Sequence, residues 1–344
     1  MGKVTSKEIA KLAGVSVSAV SIVLNNKPGV SDSTRKRILH ILSENGIFPK
    51  TANLIDNVRG VIRFCKVVKH GGIINDRHNV FISDYIDGVV EESKSNECVV
   101  EFATYNVGNI AEVVANIKPA KGLLGCVILS TELSRNDIAL FSTLDVPCIF
   151  LDAFYEFYPA SFSTMDNFGM VYEIVRYLKE CGHRRIGMLN AIGCSNFSQR
   201  RAAFGLAMED LELPYDIAGI YTIRSTHSGS YEDMARILID IDRRLLPSAL
   251  FACNDMVAIG AMRAFQEAGI SIPDDISIVG FDDLPASAVV SPPLTSMFVP
   301  KYEIGQSAVR LLLNRLDCGA CRSTSQKYVI GGSLVERSSV KKLS

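Results

Sequence analysis

The stretch Val4-Thr5-Ser6-Lys7-Glu8-Ile9-Ala10-Lys11-Leu12-Ala13-Gly14-Val15-Ser16-Val17-Ser18-Ala19-Val20-Ser21 places apolar residues at helical spacing on both sides of one glycine. Thr5 or Ser6 can cap a first helix, on which Ile9, Leu12 and Ala13 fall at i, i+3 and i+4 on one face. Gly14 ends it. Ser16 caps a second helix with Val20, Val23 and Leu24 inward. The loop Asn25-Asn26-Lys27-Pro28-Gly29 leads to a third, opened by Ser31 or Ser33, with Ile38, Ile41 and Leu42 inward; Gly46 and Pro49 stop it. Two short helices about a tight glycine turn, with a third closing the core, make a helix-turn-helix head. An ordinary helical hairpin would show the same spacing.

Charge separates this head from the rest. Residues 1–60 carry nine Lys/Arg against four acids, a net +5, whereas the whole 344-residue chain has a net charge of -1. A basic head on an acidic body suits a nucleic-acid-binding module fused to something else. With 48% hydrophobic and 21% charged residues the chain can bury a sizeable core in two or three domains, which excludes general disorder. Nine cysteines spread from Cys65 to Cys321 form no tight disulfide framework. No run approaches the roughly 18 apolar residues of a membrane span, and the N-terminus has no apolar signal core. The expectation is a cytoplasmic protein with reduced thiols and no membrane partner.

Beyond Val58 short β-branched runs alternate with amphipathic stretches. Gly60–Val68, Cys98–Thr104, Leu123–Leu129, Cys148–Leu151, Ile186–Leu189, Ala249–Ala252 and Ile276–Val279 predict strands; Phe81–Ser93, Arg200–Leu211 and Ile304–Leu316 predict helices. Such alternation means parallel, doubly wound sheets, and there is enough for two α/β lobes.

The quoted head, with Val23-Leu24-Asn25-Asn26 and Val30-Ser31-Asp32-Ser33-Thr34-Arg35, resembles the LacI/GalR (lac-repressor/purine-repressor) family of bacterial transcription regulators. The likeness continues through Asp145–Asp152, Gly182–Gly187, Ala252–Gly260, Val279–Asp283, Ser291–Thr295 and Leu334–Arg337. It implies an all-α helix-turn-helix head (1–48), a hinge (49–58) and an effector-binding and dimerisation domain (59–338) of periplasmic-binding-protein type. The N-lobe is expected at about 59–162 and 293–323 and the C-lobe at about 163–292 and 324–338, with crossovers near 162, 293 and 324. The implied function is a sequence-specific repressor, homodimeric on a pseudopalindromic double-stranded operator, controlled by a small sugar or sugar derivative in the interlobe cleft.

The resemblance assigns groove reading to Val17, Ser18, Ser21 and Ile22. Where relatives carry Arg, Ile22 offers only apolar contact, for instance to a thymine methyl. Ser16, Ser21, Asn25, Ser31 and Thr34 can donate to phosphates. In the hinge the family's minor-groove leucine position is Asp56 here, so Leu54 or Ile55 can serve as the wedge only after a register change.

Four cleft residues match effector positions: Asp152 after one strand, Arg200 at the head of a helix, Asn254 and Asp282 after two further strands. Strand ends are where open α/β sheets bind ligands, and carboxylates, amides and a guanidinium suit hydroxyl-rich molecules. Phe81 is the best aromatic to face a sugar ring, ahead of Phe154 and Tyr155. The segment from Lys66 to His78, with Lys69, His70, Gly71, Gly72 and Arg77, reads as a site for an anionic ligand or as a solvated insertion.

The competing reading is a sugar-binding protein or an α/β enzyme with a basic head. No G-x-G-x-x-G, P-loop, G-x-S-x-G or H-E-x-x-H motif supports an enzyme. Cys318-Gly319-Ala320-Cys321 lacks the partners of a zinc site, and His183-Arg184-Arg185 reads as a structural loop. Neither a metal nor a cofactor is expected.

Overall fold

Residues 6–24, 29–31, 34, 35, 37, 38, 41, 58–74, 79–106, 108–117, 122–318 and 324–343 are described by a computed structural model. In the head, helices α1 (Ser6–Ala13) and α2 (Val17–Leu24) meet residues 34, 35, 37, 38 and 41 of a third helix. Ile9, Ala10, Ala13, Val20, Val23 and Ile38 form their core. Leu12, expected inside, is 63% exposed, and Ala10 takes the place beside Ile9. Gly14 ends the helix in a left-handed turn, and the Val15 amide folds back to bond Ala10 O at 3.0 Å. Leu24 and Ile41 pack on this core only partly buried, and Leu42 lies outside the described residues.

Two six-stranded sheets make up the body. The first contains β1 (Gly60–Val68), β2 (Cys98–Asn106), β3 (Leu123–Leu129), β4 (Cys148–Leu151), β5 (Ser161–Met165) and β11 (Lys327–Ile330). Their order is β11-β5-β4-β3-β1-β2, all parallel. The second contains β6 (Ile186–Asn190), β7 (Ile220–Thr222), β8 (Ala249–Ala252), β9 (Ser277–Asp282), β10 (Thr295–Phe298) and β12 (Ser333–Val335). Its order is β12-β10-β9-β8-β6-β7, parallel except for β12 against β10. Parallel strands covered by helices on both faces read as unbroken apolar runs, which is why Leu-Leu-Gly-Cys-Val-Ile-Leu at 123–129 is a strand.

In the N-lobe, helices α3 (Asn79–Ser95) and α11 (Lys301–Asp317) cross at two glycines. A Cβ on Gly88 would lie 2.0 Å from Tyr302 O, and one on Gly305 2.3 Å from Tyr85 O. Only hydrogen fits at either crossing point.

The chain changes sheet at Asp166, at Val299-Pro300 and at Gly331-Gly332, four to eight residues after the expected 162, 293 and 324. The family resemblance implied the earlier positions, but Ser161–Met165 and Thr295–Phe298 continue as strands. Their serines and threonines hid the apolar pattern. The crossovers lie together: Asp166 N donates to Ile330 O at 2.8 Å, and a Cβ on Gly332 would lie 2.0 Å from Phe298 O.

Candidate functional site

On α2, Ser16, Val17, Ser18 and Ser21 are exposed and Ile22 is half-buried. Ser16 caps the helix: Ala19 N donates to its Oγ at 3.1 Å, and the Oγ lies 2.8 Å from that of Ser18. Ser31 repeats the arrangement, accepting from Thr34 N at 3.3 Å and donating to Thr34 Oγ1 at 2.8 Å. Expected phosphate donors at 16, 31 and 34 thus also hold helix starts. Asn25 and Leu54 lie outside the described residues.

The other expected site residues converge. Phe81, Asp152, Arg200, Asn254 and Asp282 line one cavity between the lobes, with Ile73, Ile74, Ile82, Thr131, Cys194, Asn196 and Phe197. Asp152 follows β4 and, with Tyr85 and Thr131, comes from the N-lobe. Arg200 does not head its helix; it sits in the second turn of α7 (Ser195–Asp210), whose first turn supplies Asn196. Asp282 does not follow its strand; it is the last residue of β9.

The Asp152 carboxylate accepts from Tyr85 OH (3.0 Å), Asn196 Nδ2 (3.2 Å) and Thr131 Oγ1 (2.5 Å). Burial nevertheless raises its pKa, against the pull of these donors and of Arg200. Arg200 donates from Nε to Asn167 Oδ1 (2.8 Å) and from an Nη to Cys253 O (2.5 Å), and stacks 3.6 Å from the Phe281 ring centre. Its other Nη is 3.5 Å from Asp282 Oδ1, an ion pair too long for a good hydrogen bond. That oxygen is buried and has no hydrogen-bond partner among the described residues. Burial therefore pushes Asp282 up to about 7, with Arg200 opposing. Asn254 caps α9 (Asp255–Glu267), its Oδ1 accepting from Val257 N at 2.8 Å. Asp152 and Asp282 both have left-handed backbone, at φ 62 and 108, a conformation that concentrates strain at functional positions.

The enclosed room is about 40 Å³, enough for a few waters, where ligand pockets run to roughly 300–1,000 Å³. A sugar-sized molecule can enter only if the lobes part. Outside lies an open hollow of about 450 Å³ that includes Phe154, Tyr155, Gln199 and Cys194. The two aromatics thus face this hollow and not the inner cavity.

Sequence reasoning missed Tyr85, Thr131, Asn196 and Lys301. The strand-end rule that found Asp152 would have found Thr131, two residues past β3. Lys301 is 4% exposed; its Nζ donates to Asp282 O (3.0 Å) and lies 4.9 Å from the Phe81 ring centre. Nothing in its local sequence marks a buried lysine. His183 is buried between Ser248 Oγ (2.9 Å from Nδ1) and Lys341 O (3.0 Å from Nε2), an ordinary strand-entry anchor. Cys318 ends α11; Cys321 is outside the described residues.

Residues 5–49 match the family "Bacterial regulatory proteins, lacI family", and residues 175–340 match "Periplasmic binding protein-like domain". The chain belongs to the LacI/GalR family. Among LacI/GalR relatives, the HTH-type transcriptional repressor PurR of Haemophilus influenzae is 29% identical over 321 residues, covering 91% of each chain. The ribose operon repressor of the same species is 28% identical, over 91% of this chain and 92% of its own. The lac repressor dimer bound to operator and the anti-inducer ONPF superposes with a TM-score of 0.72 at 23% identity, over 99% of this chain and 100% of that one. The transcriptional regulator CelR–cellobiose complex gives 0.71, at 23% identity over 98% and 99%. This LacI/GalR chain therefore has the head-plus-two-lobe fold expected from its sequence.

Proposed function

We propose that this chain is a sequence-specific repressor whose affinity for DNA is set by a small sugar-like molecule bound between the lobes. One observation carries the reading: Phe81, Asp152, Arg200, Asn254 and Asp282, scattered over some 200 residues of sequence, surround a single cavity. Asp282 Oδ1 is an acceptor there without a donor among the described residues, and a ligand hydroxyl or N–H supplies one. Phe81, Ile73 and Ile74 face it with apolar surface, which suits the C–H face of a sugar. Related proteins are named the transcriptional repressor PurR and a ribose operon repressor, and solved relatives hold cellobiose or operator DNA.

Residues 1–48 act as the reading head, 49–58 as the hinge and 59–338 as the ligand-binding and dimerisation domain. Two heads of a homodimer take the two half-sites of a pseudopalindromic operator in the cytoplasm. The chain controls transcription and catalyses no reaction. Its ligand has different affinities for the lobe arrangements that favour and disfavour DNA, so each partner shifts the affinity of the other by the same factor.

The test is a gel shift with the DNA flanking the chain's own gene, repeated with ribose, cellobiose, purine bases and further sugars. A specific shift altered by one compound is the expected result. No specific DNA binding under any condition overturns the reading.

A further inference from the structure

The glycine-paired loop after β1 is organised around a buried carboxylate that the sequence did not single out. Glu132 lies three residues beyond β3, and its side chain is fully buried. Its Oε2 accepts from the backbone amides of Lys69 (2.9 Å), His70 (3.0 Å) and Gly71 (3.1 Å). Its Oε1 accepts from those of Ile73 and Ile74, both at 2.8 Å. Burial alone would raise this carboxyl; the amides outweigh it and hold the pKa below the ordinary value. Gly71, at φ 67, makes the left-handed turn that lets neighbouring amides face one point. A concave set of backbone N–H groups is the arrangement by which proteins bind carboxylate and phosphate. The Lys69 ammonium is itself paired with Asp137, and the His70 ring Nδ1 lies 3.3 Å from Glu132 Oε1.

The same loop forms the lip of the cleft. Ile73 and Ile74 line the inner cavity. Gly72 O accepts from Ser225 Oγ of the C-lobe at 3.2 Å, and Ile73 Cδ1 is 3.5 Å from where a side chain on Gly193 would begin.

We propose that Glu132 is a built-in anion: it fills a backbone cradle that would otherwise take a carboxylate or phosphate, fixes the Lys69–Ile74 lip, and reserves the cleft for an uncharged ligand. The lip's importance for ligand binding rests on the cleft being the effector site; the filled cradle does not. Glu132 is thus a positioning residue, which touches no ligand itself.

The experiment is amide hydrogen exchange across residues 69–74 in the full chain, for wild type, Glu132→Ala and Glu132→Gln, with and without sodium acetate or inorganic phosphate. Loss of five charge-assisted bonds should speed exchange in the Ala variant by about tenfold or more. Acetate or phosphate should restore much of the protection, where chloride at equal ionic strength does not. Calorimetry should detect phosphate binding to Glu132→Ala and none to wild type. A Glu132→Ala lip that exchanges like wild type, or that ignores both anions, overturns the proposal. If that variant does not fold, Glu132→Gln decides: faster lip exchange supports the proposal, and wild-type exchange overturns it. A wild-type chain that responds to a sugar phosphate but to no neutral sugar overturns the exclusion of anions. Because exchange needs no effector, failure of every compound to bind wild type would sink the effector reading while leaving the cradle result standing.

Discussion

Helix α2 and the interlobe cleft handle their polar groups in opposite ways. On α2 the side chains of Ser16, Ser18 and Ser21 are exposed to water, two of them bonded to each other. In the cleft every carboxylate and guanidinium is buried, and Asp152 has three protein donors. A long charged polymer can be gripped by many wet, individually weak groups, because displacing counterions from it is itself favourable. A small neutral molecule offers no such reserve. Its site must hold dry groups in place and leave an acceptor open, as Asp282 Oδ1 is.

Four experiments can break or sharpen that contrast. Arg200→Ala should have the largest effect. It strips the nearer cation from a buried pair and leaves Asp282 only the weaker pull of Lys301, and breaking such a pair typically costs about 3–5 kcal/mol of stability. Thermal unfolding reads this, and a loss below 1 kcal/mol would mean that the pair is not closely coupled.

Asp282→Asn comes next, through pH. The folded carboxyl titrates at about 7 against an ordinary 3.8, so between those values the folded chain keeps a proton that the unfolded chain has released. Wild-type stability should fall as pH rises from about 4 to about 7, by on the order of a few kcal/mol, and then level off. Asp255, raised to about 6 chiefly by burial, adds a parallel share that remains in the variant. A denaturant series in which Asp282→Asn and wild type lose stability equally over that interval would refute the assignment. The same variant should weaken effector binding roughly ten- to a hundredfold, while operator binding without effector stays near wild type.

Ile22→Arg tests the head. A guanidinium in the groove should favour guanine at one position of each half-site by about 1–3 kcal/mol. Identical sequence logos from randomised-site selection with variant and wild type would remove Ile22 from the groove. Ser16→Ala is the smallest effect. Loss of the cap costs about 1 kcal/mol of helix stability, and operator binding should weaken alike for all sequences. A change in base preference would mean that Ser16 reads bases.

The head was legible because periodicity governs short helices: Ile9, Ala13, Val20 and Val23 were placed correctly from spacing. Leu12 was not, since both Ala10 and Leu12 flank the Ile9–Ala13 stripe at helical spacing and packing against the other two helices selects Ala10. The cleft carboxylates were legible because strand ends are fixed by topology. Tyr85, Asn196, Lys301 and Glu132 were not. Each owes its role to a partner from a distant part of the chain, and their types are as common on surfaces as in sites. Strands rich in serine and threonine, at 161–165 and 295–298, hid because packing and not side-chain hydrophobicity makes them interior.

The three adjacent crossovers mean that neither lobe is a continuous piece of polypeptide. The first sheet acquires its edge strand only with Lys327–Ile330, and the second only with Ser333–Val335. During synthesis both sheets must wait, each missing a strand, until Lys327–Val335 has left the ribosome. They then finish within a few residues of each other. Premature termination anywhere before residue 327 therefore yields two unfinished sheets, never one sound lobe and one broken one.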